Sequence, residues 1–287
     1  IEKETNEAHP VGGLGSPWAI LRPGRKKVLN KLMGTSSWYE GRKGVTADLN
    51  GLYFVNLIQD NGNSSAPLVQ INTRPEAGRT DIGPKKTVWV EPNFLYPIVK
   101  GASDFKACYF RPKLDLFGFI PNKGIRKADY QAVESELRDL PKTRSYFKYF
   151  KKNLEKRSTW KGRMPNAPFY SVYNVGDFTF KPWKVIWAEM SSNFSCAVTG
   201  LGDVPLLGAR PYVPDHKIYF VAFDNKSEAY FLCGLLNSAI VKEYVESHNI
   251  SIQVGDIFKH MKLPKFDSSS GRHMHLSKLV EKAHSID

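Results

Sequence analysis

Cysteine is scarce and never paired. Cys108, Cys196 and Cys233 are the only three in 287 residues, an odd number with no Cys-x-x-Cys spacing. A structural zinc site is not expected. Cys108 and Cys196 lie in apolar, strand-like runs, where a free thiol packs as a small hydrophobe. The expected setting is a reducing, cytoplasmic one. No apolar run approaches the roughly 18 residues of a membrane helix and no signal peptide is read, so a membrane is not an expected partner. Acidic residues are also in deficit: 28 Asp and Glu face 41 Lys and Arg, for a formal charge of +13. Such an excess attracts polyanions.

Catalytic signatures are missing as well. There is no Gly-x-Ser-x-Gly, no phosphate-cradling Gly-x-x-x-x-Gly-Lys-Ser/Thr and no His-Glu-x-x-His. Pro214-Asp215 begins like a nuclease motif, but no Glu-x-Lys follows at a workable distance. His273 and His275 have no Cys or carboxylate neighbours to complete a metal set. Asn166-Ala167-Pro168-Phe169 is one residue from Asn-Pro-Pro-Phe/Tyr, the tetrapeptide that grips the amino group of an extruded base in amino-methyltransferases. It follows a charged helix end rather than an apolar strand, and Ala167 replaces the stiffening proline. Neither Gly12-Gly13-Leu14-Gly15 nor Gly200-Leu201-Gly202 sits in the strand-turn-helix context of a cofactor turn. The expectation is a loop leading into a strand, with no catalytic residue and no metal or cofactor held by this chain.

Residues 1–37 read as a linker leading in from an upstream domain. Strand signals follow in GLYFVNLI (51–58), PLVQI (67–71), KTVWVE (86–91), KACYF (106–110) and LFGFI (116–120), each ended by Gly, Pro, Asn or Asp. Helical periodicity starts near Lys127, pauses at Pro141 and resumes over 143–158, where Lys148, Lys152 and Lys156 form an i, i+4, i+8 stripe. WKVIWAEM (183–190), FSCAV (194–198) and KIYFVAF (217–223) read as strands. A long helix over 226–247 is expected, with Asn225 as its N-cap and Glu228 three residues on. The class is α+β, with a body over 38–266 and a helical tail over 267–287.

Basic residues dominate 142–184, and a second cluster runs from Arg22 to Lys43. Lys and Arg at this density suit phosphate contacts, and neighbouring amides and hydroxyls suit base edges.

Six segments, in order, resemble the carboxy-terminal target recognition domain of Taq-type and type IIG adenine-N6 DNA methyltransferases, bacterial restriction–modification proteins. GRKGVTADLNGLYFV (41–55) is similar to the family's opening turn and strand, with Ala47-Asp48 where the family has Thr-Gly. FLYPIVKGASDFKACYF (94–110) is similar to its Pro-containing run and polar turn. RSYFKYFKKNLEKRS and then APFYSVY resemble its Leu-x-x-Arg helix and the aromatic stretch beyond. KPWKVIWAEMSSNFSCAV resembles two strands joined by a polar loop. YFLCGLLNSAIVKEYVE resembles the Leu-Leu-Asn-Ser helix, and IFKHMKLPKFD the closing Leu-Pro element.

The resemblance implies an irregular β-rich methylase specificity-domain fold with a carboxy-terminal helical hairpin. It implies double-stranded DNA as partner, and an upstream methyltransferase domain of the same polypeptide that holds S-adenosylmethionine. The loop residues it points to are Arg42, Lys43, Thr46 and Asn50; Lys100, Ser103 and Asp104; and Ser191, Ser192 and Asn193. Lys152, Lys156, Arg157, Lys161 and Arg163 are expected to hold the phosphate backbone. Two other readings stay open: a self-contained, divergent DNA methyltransferase or nuclease, and an RNA-binding protein.

Overall fold

The computed structural model describes residues 5–10, 18–111, 114–124, 126–189, 193–247 and 257–286. It is an α+β chain built around two sheets. The larger runs, edge to edge, through Val213–Pro214, Leu95–Val99, Phe117–Phe119, Phe54–Asp60, Val69–Thr73 and Thr87–Val90. Only the Val213–Pro214 pairing with Leu95–Val99 is parallel. Val69–Thr73 shows why these segments pair: Val69, Ile71 and Thr73 are buried while Gln70 and Asn72 are half-buried, the period of a sheet with one covered face.

What covers that face is a helix at Pro141–Tyr149. Phe119 stacks 5.0 Å from Tyr146 and meets Phe147 edge-on at 5.4 Å, and Val55, Ile71, Leu95 and Phe117 complete the core. Pro141 opens this helix, where its missing N–H costs nothing. The next free amides are held by Glu91, just beyond the Thr87–Val90 strand. Its carboxylate accepts from the Lys142 amide (3.0 Å), the Thr143 amide (2.7 Å) and the Thr143 hydroxyl (2.7 Å).

The smaller sheet runs Cys196–Thr199, Trp183–Ala188, Ile218–Phe223 and Arg42–Lys43, all antiparallel. Trp183–Ala188 is buried at five successive positions because both of its faces are covered. Val185 and Trp187 face Leu232, Cys233, Leu236 and Phe258. Ile186 and Ala188 face Val99, Phe105 and Tyr212, at the seam with the larger sheet. Ala19, Leu21 and Leu29, from the segment read as a linker, lie in the same core as Trp187.

Several expected elements are cut differently. KACYF is a hairpin of Phe105–Lys106 with Tyr109–Phe110, turning through Cys108 at φ 52°. Cys108 is thus a half-buried turn residue, while Cys196 is a buried strand residue as expected. The 143–158 helix breaks at Phe150 into Pro141–Tyr149 and Lys151–Leu154, so Lys148, Lys152 and Lys156 do not share one helical face. Residues 226–247 form two helices, Lys226–Leu236 and Ala239–Ser247, parted at Asn237-Ser238. Asn225 caps the first of them, accepting from the Glu228 amide at 3.2 Å.

The tail forms the helix Gly271–His284, which packs on Lys226–Leu236 with Val280 in the second core. His284 fixes it to the sheet. Its Nδ1 donates to the Val280 carbonyl (2.8 Å) and its Nε2 accepts from the Val198 amide (2.9 Å), a set of bonds that only the neutral ring makes. Burial lowers its pKa from the ordinary 6.5, against the opposing pull of the Val280 carbonyl. The folded protein therefore binds this proton less readily than the unfolded chain. Stability from this group is full above the ordinary histidine value and is lost as the pH falls below it. Denaturant melts taken between pH 7.5 and 5.5 should show that decline, and it should flatten in His284→Gln, whose amide oxygen still accepts but does not titrate.

Candidate nucleic-acid interface

Three stretches far apart in sequence lie side by side. Val45 bridges Asp215 in parallel, its amide donating to the Pro214 carbonyl at 2.8 Å. Pro214 pairs in parallel with Val99, and the Asp215 amide donates to the Val99 carbonyl at 2.9 Å. Parallel neighbours run out in the same direction, so Thr46, His216 and Lys100 leave the sheet at one end. The approach is close: a Cβ on Gly44 would sit 2.2 Å from the Asp215 carbonyl oxygen. Only glycine fits there. A fourth stretch joins when Thr46 and Tyr173 exchange backbone hydrogen bonds of 2.9 and 3.0 Å.

These stretches and the short helix Ser158–Arg163 enclose a cleft of 540 Å³, lined by Lys43, Thr46, Thr159, Arg163, Asn174 and His216 among others. Arg163 lies over the Tyr173 ring at 5.2 Å. Thr159 donates to the Asp48 carboxylate at 3.0 Å. Lys43 pairs with Glu189 and lies over the Tyr219 ring. Asn174, at φ 59°, directs its amide at the Gly44 carbonyl and the Thr46 hydroxyl, both at 3.4 Å. Asp215 is 1% exposed. Its Oδ1 accepts from the His216 amide (2.8 Å) and meets His216 Nδ1 at 2.7 Å, so the outer nitrogen of that ring is left for the cleft. Positive charge with hydroxyl, amide and imidazole groups around one opening is what phosphate and base-edge contacts require.

The expected residues divide. Lys43, Thr46 and Arg163 line the cleft. Lys161 is exposed on the same helix, Lys152 on the short helix Lys151–Leu154 and Lys156 on the turn between the two; none of these three cations, nor Arg163, has a carboxylate partner in a salt bridge among the described residues. Lys100 leaves its strand at the same end as His216, with its ammonium over the Phe54 ring at 5.3 Å. Asn193 is exposed just ahead of the Cys196–Thr199 strand. Ser191 and Ser192 lie outside the described residues.

Four residues turn elsewhere. Arg42 precedes Lys43 on one strand, and pleating sends the two side chains to opposite faces. Its guanidinium pairs with Glu40 at 2.5 Å and lies 4.8 Å from the Phe178 ring. Asn50 opens the helical turn Asn50–Tyr53 and does not line the cleft. Asp104 is buried and organises its own turn, accepting from the amides of Lys100 (2.8 Å) and Gly101 (3.3 Å); Ser103 is the exposed residue beside it.

Arg157 is the clear correction. It is 4% exposed, donates to the carbonyls of Leu154, Ala47 and Phe169, and lies 5.2 Å from the Tyr53 ring. It holds the fold together and is not a backbone-facing cation. Conversely, Thr159, Tyr173, Asn174 and His216 line the cleft without being among the expected contact residues. Their sequence signals are weak: Tyr173 ends the aromatic stretch APFYSVY, and His216 follows the incomplete nuclease motif Pro214-Asp215. Asn166 is exposed in a turn, and the expected following strand is reduced to a single bridge at Tyr173.

No family model matches the chain. Over 159 residues, 55% of its length, it is 26% identical to the type II methyltransferase M.NspV of Nostoc sp. (strain ATCC 29411 / PCC 7524). The chain is a distant homologue of a type II methyltransferase. The match spans 30% of that protein's length. Among the described residues, no helix is long and apolar enough to cross a membrane.

Proposed function

We propose that this chain is the duplex-DNA recognition module of an adenine-N6 methyltransferase of a bacterial restriction–modification system. It works beside a catalytic domain, upstream in the same polypeptide, that holds S-adenosylmethionine. The observation that carries the reading is the cleft: Lys43, Thr46 and Arg163, expected from separate stretches of sequence, meet there beside Asn174 and His216. Distant homology to part of a type II methyltransferase supports it. Lys152, Lys156, Lys161 and Arg163 hold phosphates, while Thr46, Asn174, His216 and Asn193 read base edges.

Fluorescence anisotropy on duplex DNA tests this. If about six phosphates are neutralised, affinity should fall roughly a thousandfold between 50 and 200 mM salt. Replacing Lys152, Lys156, Lys161 and Arg163 by Ala should flatten the log–log slope by about one per cation and weaken all sequences alike. Affinity indifferent to salt, or a quadruple variant that binds like the native protein, would remove DNA as the partner.

A further inference from the structure

A second hollow, of 340 Å³, lies between the helices Lys127–Arg138 and Pro141–Tyr149. Its floor is aromatic. Phe147 and Phe169 flank Tyr170 at ring separations of 5.5 and 5.3 Å. Its rim carries the exposed cations Arg138, Arg144 and Lys148, none in a salt bridge among the described residues, and one carboxylate, Glu134.

The decisive feature is the Tyr170 hydroxyl. Tyr53 and Tyr146, in the same aromatic cluster, donate their hydroxyls to the carbonyls of Tyr170 and Leu52. Tyr170 is 7% exposed, yet its hydroxyl has no hydrogen-bond partner among the described residues. A buried hydroxyl left unbonded is costly, and native folds rarely keep one without a use. Burial raises the pKa of this phenol, with Glu134 adding to the rise and Arg144 opposing it. Tyr53 adds a smaller rise, while Glu134 and Arg144 are on the rim of the hollow.

We propose that this hollow binds a single nucleotide unit, with its phosphate on Arg138, Arg144 and Lys148 and its base against the aromatic floor. Tyr170 supplies a hydrogen bond to the base, and Glu134 accepts from an exocyclic amine. An apolar floor alone would take any hydrocarbon, and cations alone any anion. A carboxylate and an unmatched hydroxyl beside three cations select a ligand that is anionic at one end and a hydrogen-bonding ring at the other. The volume suits one such unit, near the lower bound for small-molecule sites. The unit comes either from a free mononucleotide or from an unpaired nucleotide within a DNA strand. The hollow and the cleft share no lining residue, so this inference stands apart from the reading of the cleft.

Calorimetric titration with the four deoxynucleoside monophosphates tests the first source. Comparing a duplex carrying one bulged nucleotide with its fully paired parent tests the second. Saturable binding is expected in at least one arm, weakened about tenfold by Tyr170→Phe, the loss of one good hydrogen bond. Arg144→Ala should weaken it comparably. Tyr170→Phe breaks no side-chain hydrogen bond among the described residues, so its melting temperature should be at least that of the native protein, which separates lost binding from lost folding. The proposal is overturned if neither arm binds, if Tyr170→Phe binds as tightly as the native protein, or if inorganic phosphate displaces the nucleotide at equal concentration.

Discussion

Replacing Arg157 by methionine is expected to cost the fold about 3 kcal/mol while leaving the salt slope of DNA binding unchanged. The guanidinium ties Leu154, Ala47 and Phe169 through their carbonyls, and hydrogen bonds to a charged donor contribute about 1.5–3 kcal/mol each. The desolvation of a buried cation offsets part of that sum. Methionine fills similar space but donates nothing. Lysine keeps the charge but lacks the planar fork, so it should restore only part of the loss. The neighbouring exposed Lys156 should behave in the opposite way: Lys156→Met stays within about 0.5 kcal/mol of native stability and lowers the salt slope. Chemical denaturation and anisotropy on the same pair of variants give a crossover. If Arg157→Met melts like the native protein and binds DNA with a flatter slope, the assignment of Arg157 to the fold is wrong.

Asn237→Asp is expected to be nearly as damaging, although only one atom changes. The Asn237 side chain joins the end of the Lys226–Leu236 helix to the Cys196–Thr199 strand. Its Nδ2 donates to the carbonyls of Cys196 (2.8 Å) and Cys233 (3.1 Å), and its Oδ1 accepts from the Cys196 amide (3.1 Å). Aspartate keeps the acceptor and turns the donor into a second oxygen facing two carbonyls. Two lost bonds and that repulsion should together cost about 3 kcal/mol. Around this junction lie three thiols, with Cys196 and Cys233 sulfurs 3.8 Å apart and Cys108 Sγ 3.3 Å from the Asn237 amide. Burial pushes the Cys233 thiol well above its ordinary pKa. A variant that opens the junction should therefore also speed alkylation of Cys233, readable by mass spectrometry. Unchanged stability together with unchanged labelling would show that the asparagine is dispensable.

Elements with a strong local period were legible in the sequence. WKVIWAEM, KIYFVAF and PLVQI each hold the strand expected there, because alternation or unbroken apolarity is written within a few residues. Breaks were harder to see. The parting at Asn237-Ser238 depends on a side chain bonding to a distant strand, which no local window contains. Charge was the weakest guide to the site. Lys156 and Arg157 are adjacent and both basic, yet one is in solvent and the other 4% exposed. What separates them is the carbonyl of Ala47, about a hundred residues earlier in the chain. Asn174 had no local signal, and His216 only the incomplete Pro214-Asp215 motif before it, because both matter only where residues 45, 173 and 215 come together.

That convergence also limits how the chain can be taken apart. Ser36 clasps Met261 and Leu263 through its hydroxyl at 2.6 and 2.7 Å, and Arg42–Lys43 completes a sheet whose other strands all lie beyond residue 182. The two ends of the sequence are braided. Contacts so distant in sequence close late, and a chain that depends on them folds slowly. A cut at the exposed Pro165-Asn166 turn would divide the smaller sheet between two pieces, neither with a complete core. A contiguous block exchanged with a relative would set part of the cleft against a foreign remainder. Grafting loop by loop should therefore fail here, where substitution of single lining residues on the intact scaffold succeeds.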